Sequence, residues 1–197
     1  VRSFNHSLII LAGALGLVAA TPNATNPLTL RDGSRLWFEG TSTVRSWSCT
    51  AERIDATISA SESAVPVAVL DGRKVEGSVE LDFPVAKFEC KNGTMNEHMR
   101  KALKATDYPT VRFVLEGYDL TKAASVNGAL RGSLQMAGQS KPVTVPVQFA
   151  SAEGGLRVTG KVPIKMTEWG MKPPTLMLGT LKVGETVTVN FDLLLQQ

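Results

Sequence analysis

Apolar and polar residues alternate with a period of two through most of the chain, and few constraints on a fold are stronger. Leu130, Gly132, Leu134 and Met136 stand against Arg131, Ser133 and Gln135. Val143, Val145, Val147 and Phe149 alternate with Thr144 and Gln148. The same pattern runs through Leu156, Val158, Gly160, Val162 and Ile164, and through Val187, Val189, Phe191, Leu193 and Leu195. Successive side chains of a strand point to opposite faces, so each segment is a strand with one dry and one wet face. Similar segments at Arg35–Glu39, Val44–Ile58, Val75–Pro84 and Val111–Tyr118 bring the total to about eight strands. Turn signals separate them at Asp71-Gly72, Asn127-Gly128, Gly138-Gln139 and Gly154-Gly155. Short connections imply antiparallel pairing. A sheet with one dry face must bury it on itself, as a barrel or a sandwich.

One segment departs from this period. Thr94-Met95-Asn96-Glu97 has the form of a capping box, and Met95, Met99, Ala102 and Leu103 follow at helical spacing. His98, Arg100 and Lys101 fall on the other side, and Tyr108-Pro109 ends the helix. The pattern predicts one helix of about three turns between two strands, placed to cover a barrel end.

The 197 residues suffice for one domain with a real core, and an apolar fraction of 43% with 20% charge argues against wholesale disorder. The net charge of +3 comes from scattered Lys and Arg, with no run longer than Arg73-Lys74 or Arg100-Lys101, so a nucleic-acid footprint is not expected. Arg2 precedes an uncharged apolar run from Leu8 to Ala20, which ends on Val18-Ala19-Ala20. That run reads as a secretory signal over residues 1–20, cleaved near Ala20, and it is short for a stable transmembrane anchor. Residues 21–33, with Pro22, Asn23, Asn26 and Pro27, read as a flexible linker, leaving 34–197 as the barrel domain. The expected destination is the periplasm or the exterior of a bacterium. An even pair of cysteines in an exported chain points to one disulfide, Cys49 to Cys90, whereas a cytosolic chain would keep two free thiols.

Catalytic signatures are missing. The sequence has no GxSxG elbow, HExxH, phosphate loop or dinucleotide fingerprint. His98 is the one histidine beyond the leader, and it is expected on the solvated side of the helix. No enzyme activity, metal or cofactor is therefore expected.

The dry faces carry the functional expectation, because an eight-stranded barrel has room inside for side chains or for one small ligand. Val79, Leu81, Phe113, Leu115, Leu134, Met136, Val145, Val147, Val158, Val162, Val189 and Phe191 lie on the inward register and are the candidate ligand contacts. Gly77, Gly132 and Gly160 share that register, either leaving volume for a ligand or permitting strand curvature. The apolar stretch from Trp169 to Leu181 adds Trp169 and Met177 as candidate contacts, and it either gates the cavity or plugs one end.

Three stretches resemble the YceI-like family, the lipocalin-like polyisoprenoid-binding proteins of bacteria. The first is Gly40-Thr41-Ser42-Thr43-Val44-Arg45-Ser46-Trp47-Ser48-Cys49, in which Arg45 stands where many members have His. The second runs from Met95 to Phe113, with Tyr108-Pro109-Thr110-Val111-Arg112-Phe113 similar to the family's entry into a strand. The third is Leu130-Arg131-Gly132-Ser133-Leu134 followed by Gly138-Gln139-Ser140-Lys141-Pro142-Val143, and Met166 to Gly170 is similar to a subgroup. The likeness covers about Arg35 to Leu195. It implies an all-β fold, an extended antiparallel eight-stranded lipocalin-like barrel with one short α-helix between strands. It also implies a partner of apolar lipid type, such as a polyisoprenoid or quinone, held for transport or sequestration. The alternatives are a secreted interaction module with a packed barrel and, least favoured, an enzyme using the cavity. The oligomeric state stays open, a dimer included.

Overall fold

The alternating segments do pair, into one antiparallel sheet that closes on itself. The computed structural model describes residues 26–197. In chain order come β1 (Asn26–Leu30), β2 (Arg35–Thr41), β3 (Ser46–Ala51), β4 (Asp55–Ala60), α1 (Val65–Leu70), β5 (Gly77–Pro84) and β6 (Phe88–Glu89). Next are α2 (Gly93–Ala102), β7 (Thr110–Lys122), β8 (Val126–Met136), β9 (Gln139–Ala152) and β10 (Gly155–Lys165). The last are the short β11 (Thr175–Leu176) and β12 (Leu181–Lys182), and β13 (Thr186–Gln196).

The ring of pairings is β1-β4-β5-β7-β8-β9-β10-β13 and back to β1. β2, β3 and β6 extend it, because three of the long strands are interrupted once each. β13 bonds to β1 through Leu195 and Gln196 and to β2 through Thr188 to Asp192, so β1 and β2 lie end to end along one edge. Likewise β3 pairs with β2 and β6, while β4 pairs with β1 and β5. Counting each interrupted strand once gives the closed eight-stranded antiparallel barrel.

The interruptions have local causes. Between β1 and β2, Gly33 takes a φ of 92°, a left-handed value that suits glycine. There the Ser34 hydroxyl replaces lost ladder bonds, accepting from the Leu194 N–H at 3.0 Å and donating to its carbonyl at 3.4 Å. Between β3 and β4 the buried positions change phase, from Cys49 and Ala51 to Ile58 and Ala60. A one-residue slip turns every side chain to the other face, and the irregular residues 52–54 absorb it. The stretch 44–58, which alternation presents as one segment, is thus one path with a break, and its strand begins at Ser46.

Two expectations need correction. Residues 21–33 are not all linker, because Asn26–Leu30 is a barrel strand with Leu28 in the core. Pro27 hides this, yet it is paired on one side only, with Ser59, so its missing N–H breaks no second ladder. The signal assigned to residues 1–20 lies outside the described residues. The second correction concerns the helix start. Asn92 is the cap, accepting from the Met95 N–H at 2.9 Å, and α2 begins at Gly93, ahead of the Thr94 box. A further helix, α1, was not expected. Its apolar run Val65-Pro66-Val67-Ala68-Val69-Leu70 has no telling period in six residues. It buries Ala68 and Val69 across the barrel end away from α2.

α2 is anchored at its start. The disulfide Cys49–Cys90 joins β3 to the residue after β6. Buried Asn96 accepts from the Cys90 N–H at 2.8 Å and donates to both Glu89 carboxylate oxygens at 2.9 Å. The Asn96 bond is the main reason the Glu89 carboxyl is held below its usual range.

On the outer face, Asp192 of β13 ties together the strands on either side. Arg157 of β10 donates to its two carboxylate oxygens at 2.7 and 2.6 Å, and Arg35 of β2 approaches to 3.6 Å. The Arg157 hydrogen bonds hold Asp192 below the ordinary carboxylate pKa. A carboxyl with a lowered folded pKa stabilises the fold above its unfolded pKa of about 3.9, and that contribution disappears as pH falls through the folded value. Replacing Asp192 with Asn is therefore expected to lower the melting temperature at neutral pH. It should also flatten the loss of stability as pH falls below about 4, measured by thermal denaturation over a series of acidic pH values.

Candidate functional site

Barrel closure turns the dry faces inward around a cavity of about 500 Å³. Val79 and Leu81 of β5, Phe113 and Leu115 of β7, and Leu134 and Met136 of β8 line it. So do Val145 of β9, Val158 and Val162 of β10, and Val189 and Phe191 of β13. The two-residue period thus placed these candidate contacts on one surface.

Two candidates lie elsewhere. Val147 is buried on the inward register but does not reach the cavity. Its neighbours across both ladders are glycines, Gly128 and Gly160, and the rings of Phe149 and Phe191 occupy the space beside them. Those rings screen the shorter valine. Trp169 is buried but outside the cavity, with the Lys141 ammonium 5.6 Å from its ring centre. The tight turn Met166–Trp169 directs Met166 and the following Met171 inward instead. Met177 lies in the turn Met177–Gly179, and its side chain is not among those described.

The inward glycines do not create the void. A Cβ on Gly132 would stand 2.3 Å from the Val114 carbonyl oxygen and 2.8 Å from the Phe113 ring, and one on Gly160 would stand 2.2 Å from the Phe191 ring. At Gly77 the obstacle is backbone alone, the Ser59 carbonyl oxygen at 2.2 Å, where β4 and β5 approach closely. Glycine here lets aromatic rings lie against the sheet or lets strands curve, and the rings form part of the cavity wall.

Several lining residues lie outside the contacts expected from the sequence. Leu36, Phe38 and Trp47 come from β2 and β3, and Phe38 meets Trp47 edge to face at 6.3 Å. Their alternation marks them, but it does not say which face of a broken strand is inside. Met95, His98, Met99 and Ala102 line the cavity from α2. His98 was expected on the outer side, yet it completes the i, i+3, i+4, i+7 face begun by Met95, so the spacing itself corrects the assignment.

The two ends differ. α1 covers the far end with Val65 and Val69, and beside it the Tyr118 hydroxyl accepts from the Val75 N–H at 2.6 Å and donates to the Val75 carbonyl at 3.0 Å. At the α2 end, Ser42 and Arg45 of the β2–β3 turn join Asn92, Thr94 and His98 as a polar rim. The long segment before β13 folds into a small hairpin, with Thr175 opposite Lys182 and Leu176 opposite Leu181. It docks on the β2–β3 turn through the Ser42–Val183 bridge, and it contributes Pro174, Leu176, Leu181 and Val183 to the cavity wall. The titratable lining groups, Arg45, Glu76, His98 and Tyr118, sit toward the ends, and the middle is apolar. Among the described residues no group of three or more His, Cys, Asp or Glu is placed to hold a metal ion, and no helix is long and apolar enough to cross a membrane.

A model of the YceI-like domain matches residues 31–195. Solved structures share the fold. BcnA of Burkholderia cenocepacia aligns with a TM-score of 0.65 at 20% identity, covering 83% of this chain and 96% of that one. A polyisoprenoid binding domain from Saccharophagus degradans, implicated in plant cell wall breakdown, aligns at 0.59 and 13% identity, covering 89% and 99%. A YceI protein of Campylobacter jejuni aligns at 0.58 and 16% identity, covering 74% and 82%. No curated sequence relative matches.

The ring-for-glycine exchange is testable. Gly160→Val is expected to destabilise the barrel by about 1–3 kcal/mol in urea denaturation. Shortening the ring with Phe191→Leu in the same chain should recover part of that loss, as a positive coupling in a double-mutant cycle.

Proposed function

The chain belongs to the YceI-like family, and from that premise we propose that it is an exported lipid-binding protein, holding an isoprenoid-type or other long-chain apolar ligand in its barrel for transport or sequestration. The observation that carries this reading is the cavity itself, about 500 Å³ with an apolar wall between polar ends. Ligand pockets typically enclose roughly 300–1,000 Å³, and the void falls inside that range. Such a wall recognises length and apolarity more than chemical detail. Each methylene moved from water contributes about 0.8 kcal/mol, so ten would give about 8 kcal/mol before ordering costs, a micromolar affinity.

The Saccharophagus degradans domain, described as binding polyisoprenoids, supports the choice of cargo. Isoprenoid tails are linear chains with only methyl branches and carry polar chemistry at one end only, and this cavity has a polar rim at the α2 end. Polyprenyl phosphates and quinones both satisfy that requirement. Export is supported by the Cys49–Cys90 disulfide, which suits an oxidising compartment, and by the apolar run from Leu8 to Ala20. A packed interaction module would have little reason to keep such a void, since native interiors are close-packed and large cavities are costly.

Protein purified from its own source should release a long-chain lipid on organic extraction, visible as a mass difference in native mass spectrometry. Delipidation should lower the melting temperature, and adding the extracted lipid should restore it, because a ligand that binds only the folded state stabilises it by mass action. Leu134→Trp, which puts a larger side chain into the cavity, should reduce lipid retention at least about tenfold while the barrel stays folded. Recovery of an empty protein whose stability no added lipid changes would reject the carrier reading.

A further inference from the structure

Exposed large apolar side chains cluster at one end of this barrel. Val44 is 71% exposed, Tyr108 44% and Leu178 fully so, and all three belong to segments around the α2 mouth. Val67, 60% exposed on α1, is at the opposite end. The segments that carry Val44 and Leu178 are joined by hydrogen bonds. The Thr43 hydroxyl donates to the Thr180 carbonyl at 3.0 Å and accepts from the Lys182 N–H at 3.2 Å, and the Thr43 N–H donates to the Lys182 carbonyl at 3.0 Å. The β2–β3 turn and the tip of the β11–β12 hairpin therefore form one protruding edge beside the mouth.

That edge is unusual in two further respects. Leu178 has a φ of 52°, a left-handed conformation that is rare for a large non-glycine residue and that concentrates at functional positions. A fully exposed leucine gains nothing from the fold by standing there. Charge is also one-sided. The segments 41–45 and 171–183 carry Arg45, Lys172 and Lys182 and no acidic residue. Among the described residues none of these three cations is in an ion pair, whereas Glu185, just beyond, is paired with Lys165 at 3.8 Å. Half-buried Trp47 stands next to the edge, with its Nε1–H bonded to the Thr41 carbonyl at 3.2 Å.

We infer that the α2 mouth docks on an anionic lipid surface, with Val44 and Leu178 inserted among the acyl chains and Arg45, Lys172 and Lys182 against the headgroup phosphates. Apolar tips flanked by cations, with an amphipathic ring at the boundary, match the layered polarity of a bilayer interface. A protein partner would be expected to present carboxylates to the same cations, and that outcome is separable by experiment. In this orientation the polar rim of the cavity, with Ser42, Arg45, Asn92, Thr94 and His98, faces the membrane. The docking does not depend on what fills the cavity, so it is testable on delipidated protein.

The experiment is flotation of the folded, disulfide-bonded chain with mixed phosphatidylcholine–phosphatidylglycerol vesicles and with pure phosphatidylcholine vesicles. Binding to the anionic vesicles is expected, falling as salt shortens the screening length. Leu178→Asn should weaken it about tenfold or more while leaving the fold intact, because asparagine tolerates the left-handed conformation. Arg45→Ala, Lys172→Ala and Lys182→Ala should each weaken it roughly fivefold. Val67→Ser at the far end should leave it unchanged. No binding to anionic vesicles, equal binding to both vesicle types, or equal losses for Leu178→Asn and Val67→Ser would overturn the proposal. Vesicle binding by a protein that retains no lipid would leave docking standing and reject only the carrier reading.

Discussion

The barrel depends on β13 serving two partners along one edge. Its first half bonds to β2 and its last residues bond to β1, while its other edge runs the full length of β10. Without that double engagement the sheet would remain open, with its dry face uncovered. The Ser34 hydroxyl and the Asp192 carboxylate both act at this seam, one replacing backbone bonds where β1 gives way to β2, the other bridging β10 to β2. Closure is what turns an alternating sequence into an enclosed apolar volume.

The inside of that volume shows how a void coexists with a well-packed wall. Phe113 and Phe191 lie over glycines rather than across the centre, so large residues are spent on covering the sheet. Helices line the two ends in different ways. α1 offers short branched side chains, while α2 brings Met95 and Met99, whose flexible thioethers adapt to varied apolar shapes. A wall of this kind suits a ligand defined by length and apolarity.

Much of this was legible in the sequence, for a physical reason. Period two survives in long strands such as β8, β9, β10 and β13, and Leu134, Val145, Val158 and Val189 were correctly placed facing inward. Legibility failed where the period is short or interrupted. β1 is five residues with a proline, the turn at 52–54 inverts the phase, and α1 is an apolar run too brief to show a helical repeat. His98 is polar, yet its spacing from Met95, Met99 and Ala102 puts it on the inward face of α2. Trp169 lies outside the cavity because the turn Met166–Trp169 sends Met166 and Met171 inward, and Val147 lies behind neighbouring rings. Neither apolarity nor register reports which of two inward groups is screened by a neighbouring ring. The clustering of Val44 and Leu178 could not be seen at all, since it needs the hydrogen bonds that join segments 137 positions apart, Thr43 to Thr180.

The disulfide acts on the unfolded chain as much as on the native one. Cys49 and Cys90 are separated by 41 positions, and the loop they close contains all of β4, α1, β5 and β6. Joining its ends removes conformations that the denatured chain would otherwise explore, worth about 4 kcal/mol by the loop-entropy relation. The β3–β6 pairing spans only two residues on each strand and has few hydrogen bonds of its own. A covalent link there lets the helix-bearing end of the barrel stay assembled without a long ladder, so that end is free to be built from short elements and open space.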